Sequence, residues 1–184
     1  MTTAHDNQAD QAANTLAGLA SWQLDPGRSS VSIAHKTMWG LVTVRGAFEQ
    51  LSGSGEILAD GSARGRLEIG AASLNTKNAK RDKHLRSADF FEADEHPQIV
   101  ADLSRVTRRD QDTAAVEGTL TVAGRTRPLT VTARITEATD QAITLKADTE
   151  ISRADFGLSW NQLGMIKGNA QVSVVARFVN PTAA

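Results

Sequence analysis

From position 22 onward the chain alternates apolar and polar residues with a period of two. Val31, Ile33 and His35 share one face of such a run, and Val42, Val44, Gly46 and Phe48 share the next. Leu67 with Ile69, and Ile99 with Ala101 and Leu103, continue the series. The pattern is cleanest later: Val116, Gly118, Leu120, Val122; then Leu129, Val131, Ala133, Ile135; then Ile143, Leu145, Ala147, Thr149, Ile151; and a last run over 172–179. Alternation of this kind marks half-buried antiparallel strands. The stretches DPGRS (25–29), LSGSG (51–55), ADGSARG (59–65), RRDQD (108–112) and VAGRTRP (122–128) separate the runs with turn-forming residues. Gly124 tolerates positive φ and predicts a tight hairpin in the last of them. About eight strands at this spacing predict a mainly β sandwich or barrel. A barrel leaves no unpaired edge. At about eight strands its interior is either filled by side chains or holds one small ligand.

The alternation stops between residues 71 and 97. Ala79, Asp82, Lys83 and Arg86 fall three or four apart, as do Arg81 and Leu85, which predicts a short helix. Thr76 and Asn78 are its candidate N-caps. The pair His96-Pro97 forces an extended exit. A mainly β chain thus carries one helical crossover. Residues 1–20 read as a flexible polar tail with a weak helix near 12–19, ahead of one domain over 21–180. The tail lacks the basic start and apolar run of a secretory signal, so a cytoplasmic location is expected. No segment is apolar enough to span a bilayer, and no stable membrane insertion is expected.

Composition narrows the function. The 184 residues are 40% hydrophobic and 22% charged with a net charge of −1. A phosphate-binding surface needs a basic excess, so nucleic acid is not an expected partner. The chain has no cysteine, which excludes disulfides, thiol nucleophiles and thiolate metal sites. Few aromatics argue against a stacking platform for single strands. The densest run of ionisable groups is KRDKHLRSADFFEADEHPQI, at 80–99. Its basic block (Lys80, Arg81, Lys83, Arg86, with Lys77 just before it) is followed by an acidic one (Asp89, Glu92, Asp94, Glu95). The two cancel, as on a solvated helix face. His84 and His96 are of the right type for acid–base work. Yet no Gly-x-Ser-x-Gly elbow is present, and the four histidines lack metal-ligand spacing. No catalytic residue, metal site or enzymatic activity is expected.

Two polar residues are more constrained. Arg153 extends the row that ends at Ile151, and His35 ends the row begun by Val31. A half-buried guanidinium needs a partner, for which Asp82 and Asp155 are the candidates. These groups either close one end of the fold with hydrogen bonds or line a pocket mouth and meet a ligand head group. Met38, Trp39, Trp160, Leu163, Met165 and Ile166 likewise either guard a mouth or pack in the core.

Five motifs, in order, carry a resemblance. They are WQLDPGRSSVSIAHK, VTVRGAFEQLSGSGEI, ASLNTKNAKRDKHLRSADFFEADEHPQI, VEGTLTVAGRTRPLTV and ISRADFGLSW. Together they resemble the YceI-like, polyisoprenoid-binding family over nearly all of residues 22–179. The third, with Arg-Asp-x-His-Leu, Asp-Phe-Phe and a proline opening a strand, is the most specific. Arg28 and the pair Gly168-Asn169 depart from the residues frequent in the family. The resemblance implies an extended, lipocalin-like, eight-stranded antiparallel barrel with a helix packed by it. It implies binding, storage or transport of a long apolar ligand: an isoprenoid quinone, a polyprenyl lipid or a fatty-acyl amide. The expected lining and mouth residues are Ile33, His35, Trp39, Val44, Phe48, Leu67, Leu85, Phe90, Phe91, Ile99, Leu120, Leu145, Arg153, Phe156 and Trp160. No cofactor is expected beyond a bound isoprenoid or fatty-acyl lipid, and the resemblance leaves a homodimer within expectation. The competing expectation is a filled barrel that acts as an interaction or stress-response module without ligand.

Overall fold

A computed structural model of the chain describes residues 21–158 and 168–181. The expected N-terminal tail, together with Trp160, Leu163, Met165 and Ile166, lies outside the described residues. The strands are β1 (Ser21–Leu24), β2 (Ser30–Thr37), β3 (Val42–Phe48), β4 (Leu51–Ile57), β5 (Ala63–Gly70), β6 (Leu74–Asn75), β7 (Gln98–Arg108), β8 (Thr113–Val122), β9 (Arg125–Ala138), β10 (Ala142–Ile151) and β11 (Ala170–Val179). Among the described residues one α-helix, α1 (Ala79–Arg86), interrupts them.

Every strand pairing is antiparallel, and β1 pairs with β11 as well as with β4, so the sheet closes on itself. The closed ring runs β1-β4-β5-β7-β8-β9-β10-β11, which is eight strands, as the alternation predicts. The remaining segments are continuations of strands already in the ring. β1 and β2 lie end to end along β11, separated by Pro26 and Gly27. β3 and β4 pair with them in turn, and β5 and β6 do the same for β4 and β3. Ser73 holds the bend between β3 and β4. Its hydroxyl accepts from the backbone N–H of Glu49 and Gln50, both at 3.1 Å, and donates to the Gly70 carbonyl at 2.7 Å. The Glu49 N–H also donates to the Ser73 carbonyl at 3.2 Å, so the serine satisfies backbone groups where the ladder breaks.

One turn assignment is corrected. LSGSG is strand, not turn. A Cβ at Gly53 would lie 2.6 Å from the Arg66 carbonyl oxygen, so glycine here serves close approach of neighbouring backbone. The expected hairpin at 122–125 is present: Ala123 and Gly124 both take positive φ, at 46° and 70°. That is the two-residue loop whose twist suits antiparallel strands. Gly124 is also required sterically, since a Cβ there would meet the His96 ring at 2.6 Å. His96 thus has a packing role beneath the hairpin tip.

The connections β2–β3, β6–β7, β8–β9 and β10–β11 fall at one end of the barrel, called here the mouth. Toward the other end Trp22, Leu24, Ala114, Ala133 and Ala176 are buried. There Arg177 bridges Asp25 at 3.0 Å and Glu137 at 2.9 Å, and holds the Glu137 carboxyl below the usual carboxylate range. At the mouth the wall is incomplete in two places. β9 and β10 pair only between Ile143↔Ala138 and Lys146↔Arg134, and β3 meets β6 only at Ala47 and Phe48. Pro128 falls in the half of β9 that lacks β10, where the missing N–H costs no ladder bond on that side. The single-turn helix Ala154–Phe156 lies beside β9, and α1 lies by β6.

Candidate functional site

The mouth half of the barrel is hollow. A cavity of about 740 Å³ lies inside it, in the range of roughly 300–1,000 Å³ usual for small-molecule sites. Its wall repeats the alternating rows: Ile33 from β2, Val44 and Phe48 from β3, Leu67 from β5, Ile99 from β7 and Leu120 from β8. Leu129, Val131, Thr149, Ile151, Val172 and Val174 extend these rows around the barrel. Phe90 and Phe91, from the turns after α1, are buried and line it too, Phe91 edge-on to Phe48 with ring centroids 6.1 Å apart. Leu85 of α1 and Phe156 of the short 154–156 turn fill the two gaps in the wall. A hollow interior of this size contradicts the filled-barrel expectation.

Of the expected lining and mouth residues, Trp39 takes the mouth position and Leu145 stands elsewhere. Trp39 is not in the wall but projects at the mouth with 57% of its surface exposed, because the chain reverses there through left-handed backbone. Leu145 belongs to the row of Ala147 and Thr149, but it pairs with Ala176 nearer the packed end, and the cavity stops short of it. Trp160 lies outside the described residues. The helix contributes more than expected: Lys80, Arg81 and His84 line the cavity beside Leu85. The signal was present, since positions 80, 81, 84 and 85 share one helix face.

α1 is fixed by the loop before it. Asn78 caps the helix, accepting from the Arg81 N–H at 3.0 Å. Asp82 is buried and accepts from both the N–H and the hydroxyl of Thr76, at 3.0 and 2.5 Å. Arg81 donates to the Thr76 hydroxyl at 2.7 Å and to its carbonyl at 2.8 Å. The helix therefore closes on one buried threonine. This arrangement corrects the expected pairing of Asp82 with Arg153: Arg153 donates instead to the Leu158 carbonyl at 3.2 Å, and ion-pairs with neither Asp82 nor Asp155 among the described residues.

Besides Lys80, Arg81 and His84 of the helix, the ionisable residues that line the cavity are His35 and Arg153. Both imidazole nitrogens and the Arg153 Nε are shielded from solvent and make no well-formed hydrogen bond among the described residues, the Asn169 backbone lying only near enough to His35 to influence it. Burial lowers the His35 pKa from its ordinary 6.5, and the nearby Arg153 charge lowers it further, while the Asn169 backbone opposes the shift. Burial also lowers Arg153 from its ordinary value. Arginine nonetheless stays charged at neutral pH, so the site presents a neutral imidazole beside a guanidinium with a spare donor. The other histidines have different settings. His84 lies 3.2 Å from Asp89 and edge-on to Phe90. His96 joins Glu92 and Glu95 in a set whose ligand-type atoms fall within 4.8 Å, on a partly exposed turn that does not line the cavity. Exposed acidic groups of that kind are common without an ion.

A closed antiparallel barrel with an apolar pocket open at one end is the frame of a small-molecule-holding protein. The chain belongs to the YceI-like domain family, which it matches over residues 22–178. It is 33% identical over 98 residues to a UPF0312 protein of Azotobacter vinelandii, and 39% identical over 69 residues to protein YceI of Shigella flexneri. Those matches cover 50% and 38% of this chain, and the chain spans about half (51%) and about a third (36%) of the two relatives. The barrel of Burkholderia cenocepacia BcnA superposes with a TM-score of 0.75, covering 84% of this chain and 98% of that one. A polyisoprenoid binding domain from Saccharophagus degradans superposes at 0.69, covering 89% and 99%. At 20% identity these two likenesses establish the fold.

Proposed function

We propose that the chain binds a long apolar molecule, isoprenoid-like or fatty-acyl, inside the mouth half of the barrel and so stores or carries it. The single observation behind this is the cavity itself: about 740 Å³, lined mainly by the inward rows of the strands and, where the sheet is incomplete, by residues of α1 and the adjoining turns. At the ~30 Å³ that a water occupies, it has room for on the order of 25 carbon-sized groups. The recognition is hydrophobic and loosely selective, with about 0.8 kcal/mol per buried methylene. His35 and Arg153 supply the polar end, holding a head group that accepts a hydrogen bond while the chain descends between the strands. The name of the Saccharophagus neighbour, a polyisoprenoid binding domain, supports the ligand class. The role is binding rather than turnover, supported by a wall made of aliphatic rows.

Competition for a fluorescent apolar probe tests this. A C20 prenyl alcohol should displace the probe at micromolar concentration, and the C10 alcohol at least about tenfold less well. Equal affinity for both would contradict cavity binding. The pH dependence follows from His35. Its pKa in the fold lies below 6.5, so the ring is neutral near pH 7. A neutral ligand deepens the burial and lowers the pKa again, so the uncharged ring is the form that binds best. Affinity for the alcohol should be flat above pH 6.5 and fall as the pH drops through the lowered His35 pKa. His35→Gln, which does not titrate, should remove that fall; a fall unchanged in the variant would place its origin elsewhere.

A further inference from the structure

We propose that the mouth is also a membrane-docking face: the turn at 38–41 enters the interface of a bilayer while the lysines beside it meet anionic lipid head groups. Among the described residues the exposed large hydrophobics are Met38, Trp39, Leu41, Val42 and Ile57, and all but Ile57 belong to this one turn and its exit. Leu41 is 84% exposed. Single apolar side chains scattered over a surface need no explanation, but a cluster does. Tryptophan in particular favours the membrane–water boundary, where its ring is half in each phase.

The backbone presents these side chains deliberately. Met38 and Trp39 take left-handed φ of 49° and 57°, and Gly40 follows at 96°. For side-chain-bearing residues that conformation is costly and persists only where the surroundings enforce it. The turn is closed by the Leu41 N–H donating to the Met38 carbonyl at 3.2 Å and by the Thr37 hydroxyl reaching the Val42 carbonyl at 3.4 Å. The result is an apolar tip carried outward between two paired strands.

Its position and its surroundings point to lipid. Met38 lines the cavity, and so does Lys80 of α1, so the tip and the helix border the same opening. Residues 30–48 contain Lys36 and Arg45 and no acidic residue. On the helix side Lys77, Lys80, Lys83 and Arg86 are exposed, while the one acid among them, Asp82, is buried against Thr76. Asp148 and Glu150 of β10 are bonded to Ser173 and Gln171. The acidic run from Asp89 to Glu95 follows the helix and bounds the basic patch. A basic patch on the helix side of an apolar tip is complementary to an anionic bilayer. A second copy of the chain fits less well, since a stable dimer buries about 800 Å² per partner and a four-residue tip does not offer it. Docking here would set the cavity opening against the reservoir of its apolar ligand. The purpose rests on the binding proposal; the docking does not.

The test is flotation of the full chain with vesicles of neutral phospholipid, alone or with about 30% anionic phospholipid. The chain should float with the anionic vesicles and its tryptophan emission should shift to the blue. The double variant W39S/L41S, altered only at exposed positions, should float about tenfold less, and K36E/K77E should fall to the level of the neutral vesicles. Both variants should still bind the apolar probe in solution, which shows that they fold. No flotation of the wild type, equal flotation of either variant, or a turn that drives self-association in sedimentation without vesicle binding would overturn the proposal. A chain that binds the probe but does not float refutes docking alone, and one that floats but binds no prenyl alcohol refutes the cavity reading alone.

Discussion

Ala101→Phe combined with Val172→Phe should weaken ligand binding strongly without unfolding the barrel. Both residues face the cavity, from β7 and β11. The two added rings take space that is empty in the wild type, so the overpacking cost of a filled core does not apply at this site. They exclude about four methylenes of bound chain, worth about 3 kcal/mol, and affinity should fall by roughly 100-fold. Lipid that co-purifies with the wild type should be missing from the variant. The melting temperature should stay the same or rise slightly, since the rings bury new apolar surface. A filled barrel predicts the reverse: aromatic substitution there would be strongly destabilising. Binding curves and melting curves on the same preparation therefore separate the two.

Asp82→Ala should be the most damaging single change outside the strand core. The carboxylate satisfies two donors of one buried threonine, Thr76, which is only 4% exposed. Hydrogen bonds to charged groups are worth about 1.5–3 kcal/mol each, and a buried donor left unmade adds its own desolvation cost. A loss of about 3 kcal/mol is expected, or roughly 6–12 °C in melting temperature for a chain of this size. Asp82→Asn keeps an acceptor in place and should lose less than half as much. Because α1 closes a gap in the barrel wall, probe affinity should fall alongside stability in Asp82→Ala. Calorimetry within about 2 °C of the wild type would show that Thr76 finds another partner and that the helix is held by something else.

The barrel was legible because strands in a closed antiparallel wall must alternate. Six of the eight apolar rows read in the sequence fall on members of the ring, and the other two fall on β2 and β3, which continue β1 and β4. The bends were not legible. β4 is hidden because Gly53 and Gly55 look like turn residues, when their small size serves contact with β5. The cap at Asn78 and the helix were readable from local chemistry, and so was the tight turn at Gly124. Partners across the fold were not: periodicity places Arg153 on the inner face but cannot tell that Asp82 is engaged by Thr76. Nor does a row of alternating residues reveal depth. Leu145 and Thr149 look equivalent in sequence, yet only the second reaches the cavity. The same limit hid Trp39, whose apolar character fits wall and tip equally well until the left-handed turn is seen.

The central claim is that the hollow half of the barrel holds a long apolar molecule. Native mass spectrometry of freshly purified protein, followed by solvent extraction and mass identification of what is released, tests it most directly. The account predicts one lipid-sized adduct per chain, lost on extraction, with an isoprenoid or fatty-acyl skeleton and an oxygen-bearing head. The bare chain mass in every preparation, with extracts free of lipid and no uptake of a C20 prenyl alcohol when it is supplied, would contradict it.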